Sequence, residues 1–127
     1  MKRATAGWVR KAEHDFRGAV GLRGQRPPLH DLVCFHCQQC AEKYLKALLE
    51  EQGLVVHKTN DLPRLLAELL PYYPSLGRLR RGLAILTDYA VDVRYPGDTP
   101  TKRQAESAVR WAEKCRTTIR GLLGLPV

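Results

Sequence analysis

Residues 31–52 read DLVCFHCQQCAEKYLKALLEEQ, and the reading of this stretch decides the fold. At about 100° per residue, Val33, Cys37, Cys40, Ala41, Tyr44 and Leu48 fall on one side. An apolar stripe held over so long a stretch predicts a helix packed in a core, capped near Asp31 and stopped by Gly53. The same phase settles the cysteines. Cys34, Cys37 and Cys40 are spaced C-x-x-C-x-x-C, with Cys115 far off. A structural zinc needs ligands converging from knuckles or separate elements. Cysteines on a core-facing helix stripe behave as small hydrophobes instead, so the expectation is reduced, packed thiols with no metal and no cofactor.

The flanking segments are also helical by pattern. Upstream, Thr5 to Leu22 carries Trp8, Ala12, Phe16 and Ala19 at helical spacing, and the loop RGQRPPLH (23–30) ends it through Gly24, Pro27 and Pro28. Downstream, Asn60 or Asp61 caps a short helix with Leu62, Leu65, Leu66, Leu69 and Leu70, and Pro63 fits its first turn. A fourth helix is expected from about Ser75 to the residue before Pro96, with Leu76, Leu79, Leu83, Leu86 and Ala90 on one face. A fifth begins at a capping box of Thr101 and Gln104 and turns Ala105, Ala108, Ala112, Cys115, Ile119 and Leu122 inward. The expected architecture is all-α: an up-down helical bundle of four long helices plus one short helix, a single domain over 1–127. At 127 residues and 44% apolar, with no apolar run near the ~18 residues of a membrane span and no secretory h-region, the chain reads as soluble, cytoplasmic and free of membrane.

Charge narrows the partners. The formal net charge is +8. Residues 1–30 carry +5, residues 31–75 carry −2 and residues 76–127 carry +5. Two basic ends around a mildly acidic middle suit a shared surface that attracts phosphate.

Two features exceed what a core requires. Opposite the cysteine stripe, Leu32, Phe35, Gln39, Glu42, Lys43 and Lys46 share a face, which reads either as a solvated face with a Glu42–Lys46 pair or as a partner or pocket surface. In DYAVDVRYPGD (88–98), Arg94 falls near the leucine side where the helix gives way to Tyr95 and Pro96. An arginine beside an aromatic ring suits phosphate or base contact, and it equally suits a structural salt bridge to Asp88, Asp92 or Asp98.

CFHCQQCAEKYLKALLEEQG (34–53), HKTNDLPRLL (57–66) and DYAVDVRYPGD (88–98), in that order and spacing, resemble the HEPN domain, the higher eukaryotes and prokaryotes nucleotide-binding domain. The resemblance runs from Trp8 to the last helix and points to a small free-standing member. It implies a two-fold homodimer, often encoded beside a minimal nucleotidyltransferase in a toxin–antitoxin-like pair. It implies nucleotide binding through Gln39, Lys43, Lys46, Arg94 and Tyr95, with Leu32, Phe35 and Glu42 at a dimer or partner interface. Family alanines stand where this chain has Cys37 and Cys40.

Many members of that family are metal-independent ribonucleases that use Arg-x4-6-His. Here no histidine follows Arg94, and a carboxylate or phenol titrates too far from neutrality to replace one well. Arg23 and His30 have the spacing but lie in a proline-containing loop, which sets them aside as a catalytic pair. The leading expectation is therefore a non-catalytic, nucleotide- or RNA-binding partner of a nucleotidyltransferase. The alternative is an endoribonuclease toxin with Arg94 catalytic.

Overall fold

The computed structural model describes all residues except 91–95 and 98. Among the described residues five α-helices carry the fold: α1 (Arg3–Leu22), α2 (His30–Gln52), α3 (Leu62–Leu69), α4 (Arg80–Leu86) and α5 (Lys102–Leu122). There is no strand among the described residues.

The central element is α2. Thirteen of its 23 residues are buried, too many for an amphipathic surface helix with one wet side. Its neighbours explain this: α1 packs along it, α5 packs on another side, and α3 and the segment after α4 close over it. The α1–α2 pair is antiparallel, since the Lys2 amide donates to Glu51 Oε1 at 2.9 Å and the Thr5 hydroxyl to the same oxygen at 2.9 Å. Gly53, at φ 75°, takes the left-handed turn that ends α2 and returns its N–H to the last carbonyls. The helix starts two residues earlier than expected. Leu29 stands at the N-cap without a side-chain bond, and Asp31 lies in the first turn, where its charge still suits the helix dipole.

Cys34, Cys37, Cys40 and Cys115 are free and fully buried among leucines and alanines. Burial pushes the Cys34 thiol to about 11 and that of Cys115 to about 12, which makes both poor nucleophiles. Asp61 caps α3 by accepting from the Arg64 amide, and Thr101 and Gln104 form the expected capping box on α5.

The fourth helix departs from the continuous rod expected from Ser75 onward. Up to Ala90 it is a 3-10 turn (Pro74–Leu79), then α4, then a second 3-10 turn (Thr87–Ala90), and the remainder of the expected helix, 91–95, lies outside the described residues. Leu76, Leu79, Leu83 and Leu86 are nonetheless all fully buried. The step of three from Leu76 to Leu79 suits the 3-10 repeat, in which residues three apart eclipse. Within α4, a Cβ on Gly82 would stand 2.1 Å from the Trp111 ring of α5, so this glycine permits the close approach of the two helices. On α5, Leu122 is exposed rather than inward, and Leu123, four residues after buried Ile119, packs against the core instead.

Candidate functional site

Two polar regions stand out. The first lies along α2. Gln38 is fully buried. Its amide nitrogen donates to the Asn60 carbonyl at 3.3 Å and to Glu42 Oε1 at 3.4 Å, and its amide oxygen accepts from Gln39 at 2.8 Å. Lys46 Nζ donates to Glu42 Oε2 at 3.0 Å and sits 5.6 Å from the centre of the Trp8 ring. Lys43 pairs with Asp15 of α1, whose other oxygen meets His36 Nδ1 at 2.8 Å. The Asn60 carbonyl also accepts from the Thr87 hydroxyl, which accepts from the Leu62 amide, both at 3.0 Å. This network fixes the α2–α3 connection to α2 and to the end of α4. Gln39, Glu42 and Lys46 face an open cleft of about 430 Å³ with Lys58, Thr59 and Asn60.

The face of α2 that reads as either solvated or a pocket surface is thus partly interior. Glu42 and Lys46 are 8% and 6% exposed, and each cation of the stripe already has a carboxylate partner. A buried charge without a partner costs several kcal/mol, so these pairs are explained by the fold itself. A similar cluster binds α1, α2 and α5. Glu13 accepts two bonds of 2.7 Å from Arg116 and one from the Tyr44 hydroxyl. Burial opposes ionisation of Glu13, but the bonds from Arg116 and Tyr44 and the charges of Arg116 and Arg120 outweigh it, and its pKa is lowered.

The second region lies where the α1–α2 loop passes the start of α5. A partly open cavity of about 180 Å³ lies there. Leu22, Pro28, Leu29, Val33 and Ala105 form its apolar walls, and Arg23, Arg26, His30 and Lys102 stand around it with one carboxylate, Glu106. Arg23 and Arg26 make no ion pair among the described residues, and Lys102 has only Glu106, at 4.0 Å. An apolar floor with unneutralised cations at its edge suits a planar or apolar group carrying an anion. The sequence reading missed this site. Its one signal was the surplus of positive charge at both ends of the chain, which the fold brings together: Arg23 and Arg26 follow α1, and Lys102 opens α5.

The HEPN domain model matches residues 5–122. The chain belongs to the HEPN family. Among solved structures, TT1696 from Thermus thermophilus is 27% identical, covers 94% of this chain and 98% of its own, and superposes with a TM-score of 0.84. ST0689, an archaeal HEPN homologue, is 26% identical over 96% of this chain and 98% of its own, with a TM-score of 0.76. A HEPN domain protein from Thermotoga maritima, at 23% identity over 95% of this chain and 94% of its own and a TM-score of 0.61, shares the fold. No curated protein matches the sequence.

Within this HEPN fold the expected site residues separate. Gln39, Glu42 and Lys46 share the open cleft on α2, whereas Lys43 is turned toward Asp15 on α1. Arg94 and Tyr95 lie outside the described residues. Leu32 is 41% exposed; Phe35 is half-buried and meets His36 edge-on, with ring centres 5.7 Å apart. His57 is held by Glu68 at 3.1 Å. Arg23 and His30, set aside on sequence, border one cavity. No helix of the described residues is long and apolar enough to cross a membrane.

Proposed function

We propose that this HEPN protein binds a nucleotide or the end of an RNA without cleaving it, as the substrate-binding partner of a minimal nucleotidyltransferase in a toxin–antitoxin-like pair. The observation that carries the binding part is the cavity at the α1–α2 loop. Arg23 and Arg26 have no carboxylate partner there among the described residues, and the walls are apolar. A phosphate would take charge-assisted bonds from Arg23, Arg26 and Lys102, and a base or ribose would lie against Pro28 and Leu29. Arg94 and Tyr95 keep the phosphate-binding and stacking roles that the family pattern gives them. The half-exposed Leu32 with Phe35 and the open cleft of Gln39, Glu42 and Lys46 supply the homodimer or partner contact.

The test is equilibrium binding of AMP at low salt. Saturable binding that weakens with added salt is expected, and Arg23→Ala and Arg26→Ala should each cost roughly tenfold, the scale of one charged hydrogen bond. Unchanged affinity in the double variant would overturn the assignment of the site.

One observation favours the ribonuclease reading: Arg23 and His30 border the same cavity. An arginine that steadies phosphate charge and a histidine that moves protons are what metal-independent cleavage needs. Incubating end-labelled RNA with the protein in chelator separates the readings. Intact RNA supports binding alone, and cleavage lost in His30→Ala would make the protein an enzyme.

A further inference from the structure

The helices leave a second concentration of positive charge that the cavity does not use. On α5, 100° per residue places Arg103, Arg110 and Lys114 within one sector of about 40°, beside the sector of Ser107 and Trp111. All three cations are exposed. The two carboxylates of α5, Glu106 and Glu113, lie on the adjoining exposed sector, on the side away from Trp111, and Glu106 also lines the cavity. Across the seam where Trp111 meets Gly82, the stretch RLRRGLAIL (78–86) brings exposed Arg78 and Arg81 and contains no carboxylate. None of these five cations makes an ion pair among the described residues. Lys114 Nζ stands 5.1 Å from the centre of the Trp111 ring, and Arg78 donates to the Ser75 carbonyl at 3.2 Å.

Cations outnumber carboxylates along this face of α5 and on the stretch before it, and such a surplus raises the local concentration of anions. The strip also has a direction. Lys102 borders the cavity, Arg103 follows it in the chain, and from Arg103 to Lys114 the helix rises about 17 Å. A mononucleotide seated in the cavity does not reach the far end of that length. A linear chain of repeated phosphates does.

We propose that the α5 ridge of Arg103, Arg110 and Lys114, joined by Arg78 and Arg81 across the Gly82–Trp111 seam, binds the backbone of a single-stranded nucleic acid whose terminal nucleotide occupies the cavity. The proposal rests on the cavity reading above and adds the ligand's length and path. The ridge carries affinity without base selectivity, since its cations meet phosphates and not base edges.

The experiment compares a labelled ten-nucleotide oligouridylate, followed by fluorescence anisotropy, with AMP. Wild type is set against the exposed triple variant Arg103→Gln, Arg110→Gln, Lys114→Gln, with the fold checked by circular dichroism. The triple variant should lose at least tenfold in oligonucleotide affinity at low salt. Its slope of log affinity against log salt should fall by about 2, from about 0.7 per phosphate contact on a single strand, while AMP affinity stays unchanged. Unchanged oligonucleotide affinity and slope, with AMP still bound, would overturn the ridge and leave the cavity standing. Failure of wild type to bind the oligonucleotide would overturn the ridge whatever AMP does, and failure to bind AMP as well would overturn the proposed function. Inorganic polyphosphate is the competing source of repeated phosphates. If it displaces the oligonucleotide at equal phosphate concentration, the assignment to nucleic acid is overturned.

Discussion

The polar stripe of α2 and the cavity at the α1–α2 loop both gather lysines and arginines, but they use them differently. In the stripe, Lys43 and Lys46 each meet a carboxylate and Gln38 is buried with its bonds satisfied inside the protein. At the cavity, Arg23 and Arg26 lie with no carboxylate partner among the described residues. Charge that the fold has compensated stabilises the fold, and charge left uncompensated beside an apolar recess is available to a ligand. On the proposed reading, the conspicuous motif serves architecture in one region and the inconspicuous loop serves binding in the other.

Substitutions sharpen that contrast. Removing a carboxylate from the stripe should have the largest effect on stability. Glu42→Ala leaves Lys46 buried without its partner, and thermal or urea unfolding should show a loss of about 3 kcal/mol. Gly82→Ala tests the close approach that supports the α4–α5 seam. Its Cβ would stand 2.1 Å from the Trp111 ring, and unfolding should show about 2 kcal/mol of overpacking.

Glu13 gives a pH-dependent version of the same effect. Its folded pKa is lowered, so its contribution is present above the unfolded carboxylate pKa and is lost as pH falls through the folded value. Glu13→Gln should flatten the acid limb of a stability-against-pH curve and cost about 1 kcal/mol at neutral pH, since the group is partly open to water. A wild-type-like acid limb in that variant would show that Glu13 is not the group responsible. At the far end of the scale, Arg23→Ala with Arg26→Ala should change stability by no more than about 0.5 kcal/mol. A larger loss would mean that those arginines are structural after all.

Much of the fold was legible in the sequence because the helical period is a local property. The Val33–Leu48 stripe, the stop at Gly53, the Asp61 cap and the Thr101–Gln104 box all depend on residues within a few positions of one another. The broken fourth helix was not legible, because its leucine spacing fits either a continuous helix or a 3-10 turn feeding a short one, and Trp111 lies far downstream of Gly82. The site was less legible still. Glu42 and Lys46 read as either a solvated pair or a pocket surface because nothing in α2 alone reveals that α1 and the α2–α3 connection enclose them. Arg23 and His30 were discounted for lying in a loop, yet that loop turns past the start of α5. The charge asymmetry pointed to a shared basic surface and not to the residues that compose it.

The most direct test of the central claim sets two variants side by side: Arg23→Ala/Arg26→Ala against Lys43→Gln, which leaves Asp15 with His36. AMP affinity is measured for both at the same low salt. The account predicts a loss of roughly a hundredfold in the arginine variant and a change of no more than about twofold for Lys43→Gln. The reverse order would place the ligand on α2 and contradict the account.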